Sequence, residues 1–174
     1  MEKKKRSVPL WLWYVLAALL ILVDQEVKLW ARTHMTLGGP ALPFLPFVEL
    51  LYVENTGAAF SLFHGYTWVL TALSAVMTLV LAVCLWKDWF TTNAFSRLCV
   101  TLVLAGAAGN LIDRAMLGSV TDMFNFTFMT FGVFNVADIC VVGGVIGYAG
   151  YVIFAQRKDA REKEDGHEAE TESP

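Results

Sequence analysis

The chain has 174 residues, 56% of them hydrophobic, and its mean hydropathy of +0.53 is too high for an ordinary soluble domain of this length. The net charge of −3 arises in the C-terminal tail, where Asp159, Glu162, Glu164, Asp165, Glu168, Glu170 and Glu172 lie, and no basic stripe points to nucleic acid. Cys84, Cys99 and Cys140 fall inside apolar runs with neither zinc-ligand spacing nor a disulfide framework, which leaves them as packing thiols.

Residues 1–7 are basic, with Lys3, Lys4, Lys5 and Arg6, and residues 8–23 form an almost unbroken apolar run whose helix extends to Ala31. A charged start before an apolar run also suits a cleaved signal peptide, but no small-x-small site follows and three more apolar segments do. Crossing a bilayer takes about 20 helical residues, which the run supplies. Asp24 and Lys28 stand four apart near its far end, on one helix face, where an ion pair would neutralise both. Trp11, Trp13 and Tyr14 at one end and Trp30 at the other suit aromatic belts.

The first long loop, residues 32–65, is broken by Gly38, Gly39, Pro40, Pro43 and Pro46, and residues 47–53 (FVELLYV) read as a short strand or two. It closes on Glu54-Asn55-Thr56-Gly57-Ala58-Ala59-Phe60-Ser61, polar and then small, a stretch that lets backbones approach closely. His34 and His64 stand alone, so a metal site is not expected. A second span covers residues 66–86 and a third covers 98–112. The third holds Gly106-Ala107-Ala108-Gly109, a small-residue face for tight helix contact, and ends in Asn110, Asp113 and Arg114. Adjacent Asp113 and Arg114 cannot share a helix face and should serve different partners. Residues 118–132 alternate well enough to form a short hairpin at the membrane interface. The fourth span, residues 134–154, carries Gly143, Gly144, Gly147 and Gly150.

The spans predict an integral membrane protein, mostly α, with four transmembrane helices and a small extracytoplasmic β-rich element built from the two outer loops. Residues 1–155 form the membrane domain, and residues 156–174 a charged, disordered cytoplasmic tail. Ten of the 13 Lys and Arg residues flank one side of these spans, and only Lys28, Arg32 and Arg114 flank the other. That bias places both termini in the cytoplasm and both long loops outside.

Asp122 and Asp138 bracket the loop that feeds the fourth span, and Asn55, Asn110, Arg114 and Asn135 collect at the same outer depth. A carboxylate within a bilayer costs roughly 2.5–3.5 kcal/mol at mid-helix, so a pair of them suggests chemistry. Brought together they share one proton, and such a dyad can activate water and protonate a carbonyl, the needs of peptide hydrolysis. Taken singly, each acid has a plainer explanation. Asp138 can bond the open amides of a first helical turn, and Asp122 can be a solvated loop acid.

The chain resembles the lipoprotein signal peptidase (signal peptidase II) family over nearly all of residues 10–155. The resemblance rests on Asp24-Gln25 with Lys28, Asn55-x-Gly57-Ala58-Ala59-Phe60-Ser61, Gly109-Asn110-x-x-Asp113-Arg114, Val120-x-Asp122 and Phe134-Asn135-x-Ala137-Asp138, in that order. It implies a multi-pass aspartic endopeptidase of the bacterial inner membrane with Asp122 and Asp138 as its dyad. Asn55, Gly57, Asn110, Arg114, Asn135 and Ala137 would bind or support substrate, and Asp24, Lys28 and Asp113 would be structural. The implied substrate is a prolipoprotein carrying a diacylglyceryl-cysteine, cut on the amino side of that cysteine. The resemblance further implies no metal or other cofactor, inhibition by globomycin, and a monomer among membrane lipid. Val27 and Ala107-Ala108 depart from the commoner pattern without touching the dyad. Two other readings compete. A Ser61/Lys28 peptidase would need Lys28 as a base, yet Asp24 one turn away favours its ammonium form. A small proton-coupled transporter would use Asp24, Asp113 and Asp138, but these crowd one interface and no internal repeat is present.

Overall fold

The computed structural model describes residues 8–57, 67–89, 91 and 93–171, those after 155 as backbone only. The elements are α1 (Leu10–His34), β1 (Leu42–Leu45), β2 (Val48–Asn55), α2 (Thr67–Lys87), α3 (Ala94–Leu117), β3 (Val120–Phe126) and α4 (Val136–Thr171). Leu10–His34, Thr67–Lys87, Ala94–Leu117 and Val136–Ala155 are each long and apolar enough to cross a membrane. Large apolar side chains such as Leu19, Leu22, Leu79, Ile146 and Phe154 point outward. In lipid that exposure carries no hydrophobic penalty.

The third helix is the hub. Half of its apolar window is buried, against 17% in each other span, and it packs on α1, α2 and α4 alike. It starts at a reciprocal cap: Asn93 Oδ1 accepts the Ser96 amide at 2.9 Å, and Ser96 Oγ accepts the Asn93 amide at 3.1 Å. It stops at Gly118, whose φ of +75° admits the left-handed turn into β3. Trp13, Ala17, Leu85, Val100, Leu104 and Ala105 form the core between α1, α2 and α3.

The small-residue face expected on α3 is where α4 comes closest. A Cβ on Gly106 would strike the Ala137 carbonyl and Val141, and one on Gly144 would lie 2.6 Å from the Cys99 carbonyl oxygen. Gly143 and Gly150, by contrast, meet nothing within 4 Å, so only part of the glycine content of α4 serves packing.

The loop strands differ from expectation in their partners. β1 and β2 form an antiparallel hairpin, and β3 adds to the other edge of β2, giving the order β1-β2-β3. The hairpin expected within residues 118–132 is therefore replaced by a strand that pairs with the first loop. Only an isolated bridge, Phe124 with Phe134, folds the second loop back on itself. Pairing across α2 and α3 satisfies a whole row of backbone groups, which a short local hairpin could not. Phe124, Phe126, Phe131 and Phe134 cluster under that bridge. The end of α4 also differs, because its backbone stays helical to Thr171 where the sequence predicts order to end near residue 155. That stretch is rich in Ala, Glu, Lys and Arg, all strong helix formers.

Candidate active site

The site is assembled where the sheet meets the C-terminal end of α3 and the N-terminal end of α4. Asn135 stands immediately before α4 and Asp138 in its first turn, and they cap each other. Asn135 Oδ1 accepts the Asp138 amide at 2.9 Å, and Asp138 Oδ2 accepts the Asn135 amide at 3.2 Å. The other carboxylate oxygen of Asp138 accepts from Asn110 Nδ2 at 2.8 Å.

Asp122 enters from β3. A bulge between Leu50 and Val53 sets Val53 opposite Asp122 and Asn55 opposite Val120, which makes Asn55 and Asp122 diagonal neighbours. Asn55 Nδ2 donates to Asp122 Oδ2 at 3.1 Å, and Asn135 Nδ2 donates to Oδ1 at 2.6 Å. That same Asn135 nitrogen also reaches Asn110 Oδ1 at 3.1 Å. Three asparagines thus hold the two carboxylates, with the fully buried Asn135 touching both. Burial first, and then the charge of Asp138, push the Asp122 carboxyl up to about 7, against the opposing pull of the Asn55 and Asn135 bonds and of the Lys28 charge.

A cavity of about 940 Å³ opens in front of the pair, lined by Asn55, Asn110, Arg114, Asp122 and Asp138 on its polar side and by residues such as Phe134, Ile139 and Val142 on its apolar side. Arg114 Nη2 donates to the Gly57 carbonyl at 3.4 Å, and the Gly57 amide donates to Asn55 Oδ1 at 3.0 Å. Gly57 therefore ties Arg114 to the Asn55 corner of the site. Ala137 takes a different place from its neighbours. It is buried against α3, and its amide donates to Asp24 Oδ1 at 2.8 Å, so it supports the start of α4 rather than lining the cavity. Residues 58–61, and with them Ser61, lie outside the described residues.

Behind the carboxylates sits a buried charge cluster. Lys28 Nζ lies 2.9 Å from Asp24 Oδ2 and 3.4 Å from Asp113 Oδ2, and it donates to Asn110 Oδ1 at 2.9 Å. Lys28 is 0% exposed, and Asp24 and Asp113 1% each. Lys28 is thus engaged by three acceptors and does not line the cavity, an arrangement that gives no support to a Ser61/Lys28 peptidase. The two neighbours Asp113 and Arg114 do part company as expected, Asp113 turning to this cluster and Arg114 to the cavity.

Three members of the cluster are not singled out for it by the sequence alone. Gln25 Nε2 donates to Asp24, to the Gly109 carbonyl and to Asp113 at 3.1–3.2 Å. Arg32 Nη1 donates to Thr121 Oγ1 at 2.9 Å, and the Thr121 amide donates to Asp113 Oδ2 at 2.9 Å. Thr121 precedes Asp122, so the cluster pins the strand that carries the carboxylate. The available signal was the spacing of residues 24, 25, 28 and 32, a polar stripe on one face of an apolar helix.

No group of three or more His, Cys, Asp or Glu side chains suited to a metal ion occurs among the described residues. Asp122, buried, and Asp138, half-buried, are both bonded to Asn135 and open to one cavity; two carboxyls so placed can share one proton and activate a water.

Comparison with known proteins gives a consistent picture. The family described as Signal peptidase (SPase) II matches residues 16–154. A lipoprotein signal peptidase of Deinococcus radiodurans is 37% identical over 172 residues, covering 91% of this chain and 86% of its own. One from Bartonella bacilliformis is 39% identical over 141 residues, covering 78% of this chain and 84% of its own. A solved bacterial membrane enzyme superposes with a TM-score of 0.75 at 28% identity, covering 87% of this chain and 90% of that one.

Proposed function

This chain belongs to the signal peptidase II family, and from that premise we propose that it is an aspartic endopeptidase acting on diacylglyceryl-modified prolipoproteins, with Asp122 and Asp138 as its catalytic pair. It is a multi-pass membrane protein of a family that removes signal peptides from lipoproteins. The observation that carries the aspartic reading is the asparagine cradle. Asn55, Asn110 and Asn135 spend their side-chain N–H groups on two carboxylates, one buried and one half-buried, that share one cavity wall.

In the proposed reaction the pair holds one proton. The ionised carboxylate takes a proton from a water between the two acids, and the resulting hydroxide attacks the scissile carbonyl carbon. The protonated carboxyl gives its proton to the carbonyl oxygen. The tetrahedral diol then collapses as the C–N bond breaks. One acid takes back a hydroxyl proton while the other protonates the leaving amine, which becomes the new amino terminus of the lipidated cysteine. Arg114, at the cavity wall, supplies donors for carbonyls of the extended substrate.

The charge bias of the loops supports both termini in the cytoplasm and the cavity at the outer leaflet of the bacterial inner membrane. A globomycin-type inhibitor would occupy the same cavity, and a single chain carries every residue the mechanism uses.

The test is Asp122→Asn and Asp138→Asn, each assayed for cleavage of a diacylglyceryl-modified precursor in detergent or bilayer. Each variant is expected to remain inserted and folded with almost no turnover. Activity in a folded Asp122→Asn protein would reject the dyad, and proton-driven ion flux abolished by the same change would favour the transporter reading.

A further inference from the structure

We propose that Lys28 is a positioning residue of the reaction: its ammonium fixes the Asn110 side-chain amide so that the amide N–H faces Asp138, which makes Asp138 the acid that begins each cycle ionised and leaves the shared proton on Asp122. The inference rests on the peptidase reading above and goes beyond it, since that reading does not say which acid is the base and gives Lys28 a structural role only.

The two ends of an asparagine amide are alike in shape, so what decides its orientation is the chemistry at each end. At one end of Asn110 stands Lys28 Nζ, 2.9 Å from Oδ1. An ammonium can only donate, so the oxygen must face it. A second donor, Asn135 Nδ2, reaches the same oxygen at 3.1 Å. Asn135 cannot turn over either, because its own Oδ1 is taken by the Asp138 amide at 2.9 Å. Asn110 Nδ2 is therefore left facing Asp138 Oδ1, at 2.8 Å. Two donors on Oδ1, one of them charged, polarise the amide and strengthen its N–H as a donor.

The two acids are thus not equivalent. Asp138 receives that polarised bond and a backbone N–H, and it lies in the first turn of α4, where the positive end of the helix favours an anion. Asp122 lies on a strand and outside the first turn of α4, and its two donors are side-chain amides. The other charges near the pair are Arg114 on α3 and Lys28 and Asp24 on α1. Among these, only Lys28 is joined to an acid of the pair through a single shared amide.

Removing Lys28 alone would strand Asp24 and Asp113 as unpaired buried charges, so the informative variant is the charge-balanced double substitution Asp24→Asn/Lys28→Met. The Asp24→Asn change keeps a side-chain oxygen for the Ala137 amide, and Asp113 keeps Arg32, 3.8 Å away. In purified full-length protein we expect thermal stability close to wild type, KM little changed, and kcat lower by about tenfold to a hundredfold, the range for one charge-assisted hydrogen bond. The acidic limb of the pH–kcat profile should move to higher pH, because the ionised acid has lost support. Combined with Asn110→Ala, the double substitution should add little further loss, since it acts through Asn110. A folded Asp24→Asn/Lys28→Met enzyme with wild-type kcat and an unmoved acidic limb would overturn the proposal. So would a full, additive loss in the Asn110→Ala background. If the double substitution does not fold, Lys28→Arg decides by the same two readouts: a retained acidic limb with near-native kcat supports the proposal, and a folded protein whose limb moves despite the retained charge overturns it. Either failure leaves the dyad intact, which is judged separately by Asp122→Asn and Asp138→Asn.

Discussion

Asp138 caps the helix on which it stands: its carboxylate accepts the Asn135 amide while its own amide donates to the Asn135 side chain. Helix capping and the proposed catalysis are therefore compatible duties of one carboxylate rather than rival explanations of it. An N-cap interaction contributes about 1 kcal/mol. Asp138→Asn keeps one acceptor oxygen, so its thermal midpoint should stay near wild type while cleavage is lost. Asp138→Ala should lose both cleavage and about 1 kcal/mol of stability. Thermal unfolding in one detergent, run beside the cleavage assay, separates the two duties. Equal destabilisation of the two variants would place the value of Asp138 elsewhere.

The raised Asp122 carboxyl makes a second prediction. Its value in the folded chain is about 7 against an ordinary 3.8, so the folded form binds this proton more tightly than the unfolded form does. The stability linked to it is fully present below about 3.8 and is lost as pH rises through about 7. Between about pH 5 and 8, the thermal midpoint of wild type should fall more than that of Asp122→Asn. Cleavage should decline over the same alkaline range as the shared proton leaves. Parallel melting curves for the two proteins would show that Asp122 titrates normally.

Glycine placement gives a matched pair. A Cβ on Gly109 would lie 2.6 Å from Asp24 Oδ2 and 3.3 Å from Ala137 Cβ, whereas one on Gly150, away from the cavity, meets nothing within 4 Å. The Asp24 carboxylate cannot swing aside, because Lys28, Gln25 and the Ala137 amide all hold it. Gly109→Ala should cost about 1–3 kcal/mol and reduce turnover by shifting the start of α4. Gly150→Ala should change neither. Thermal melts and cleavage rates of the two variants check this, and a harmless Gly109→Ala would show that α3 and α4 can part without consequence.

Lipid should set substrate choice. The cavity has one polar wall with the carboxylates and one apolar wall with Ile139 and Val142 on the α4 face. Each acyl CH₂ kept in lipid is worth about 0.8 kcal/mol, so an acylated cysteine can hold the neighbouring peptide bond at the depth of the pair. A precursor lacking diacylglycerol should be cut far more slowly than its lipidated match in the same bilayer. Equal rates would place specificity in the peptide alone.

The four spans were legible because their signal is local: some twenty apolar residues in a row need no partner to be recognised. Among the residues singled out in the sequence, Asp122, Asp138, Asn55, Asn110 and Asn135 do meet. What the sequence could not supply was the pairing that brings them together. Strand β3 alternates like half of a hairpin, and nothing within residues 118–132 says that its partner is β2, on the far side of two helices. The charge cluster was half legible for the same reason. Asp24 and Lys28 share one helix face, but adding Asp113, Gln25 and Arg32 requires knowing that α1 lies against α3. Ala137 shows the opposite limit, for its neighbours in the motif belong to the site while its own side chain faces α3.

The strand order β1-β2-β3 also dictates when the proposed pair can be assembled during synthesis. Asn55 emerges from the ribosome before α2 and α3, whereas Asp122 and Asp138 follow them. Strand β2 must wait for two further helices to insert before its partner exists, and the Asn135 and Asp138 cap forms only with the last one. A nascent chain still threading through the insertion machinery therefore holds no complete pair of acids. With the proposed dyad, hydrolytic capacity would arrive with the final span and not before it.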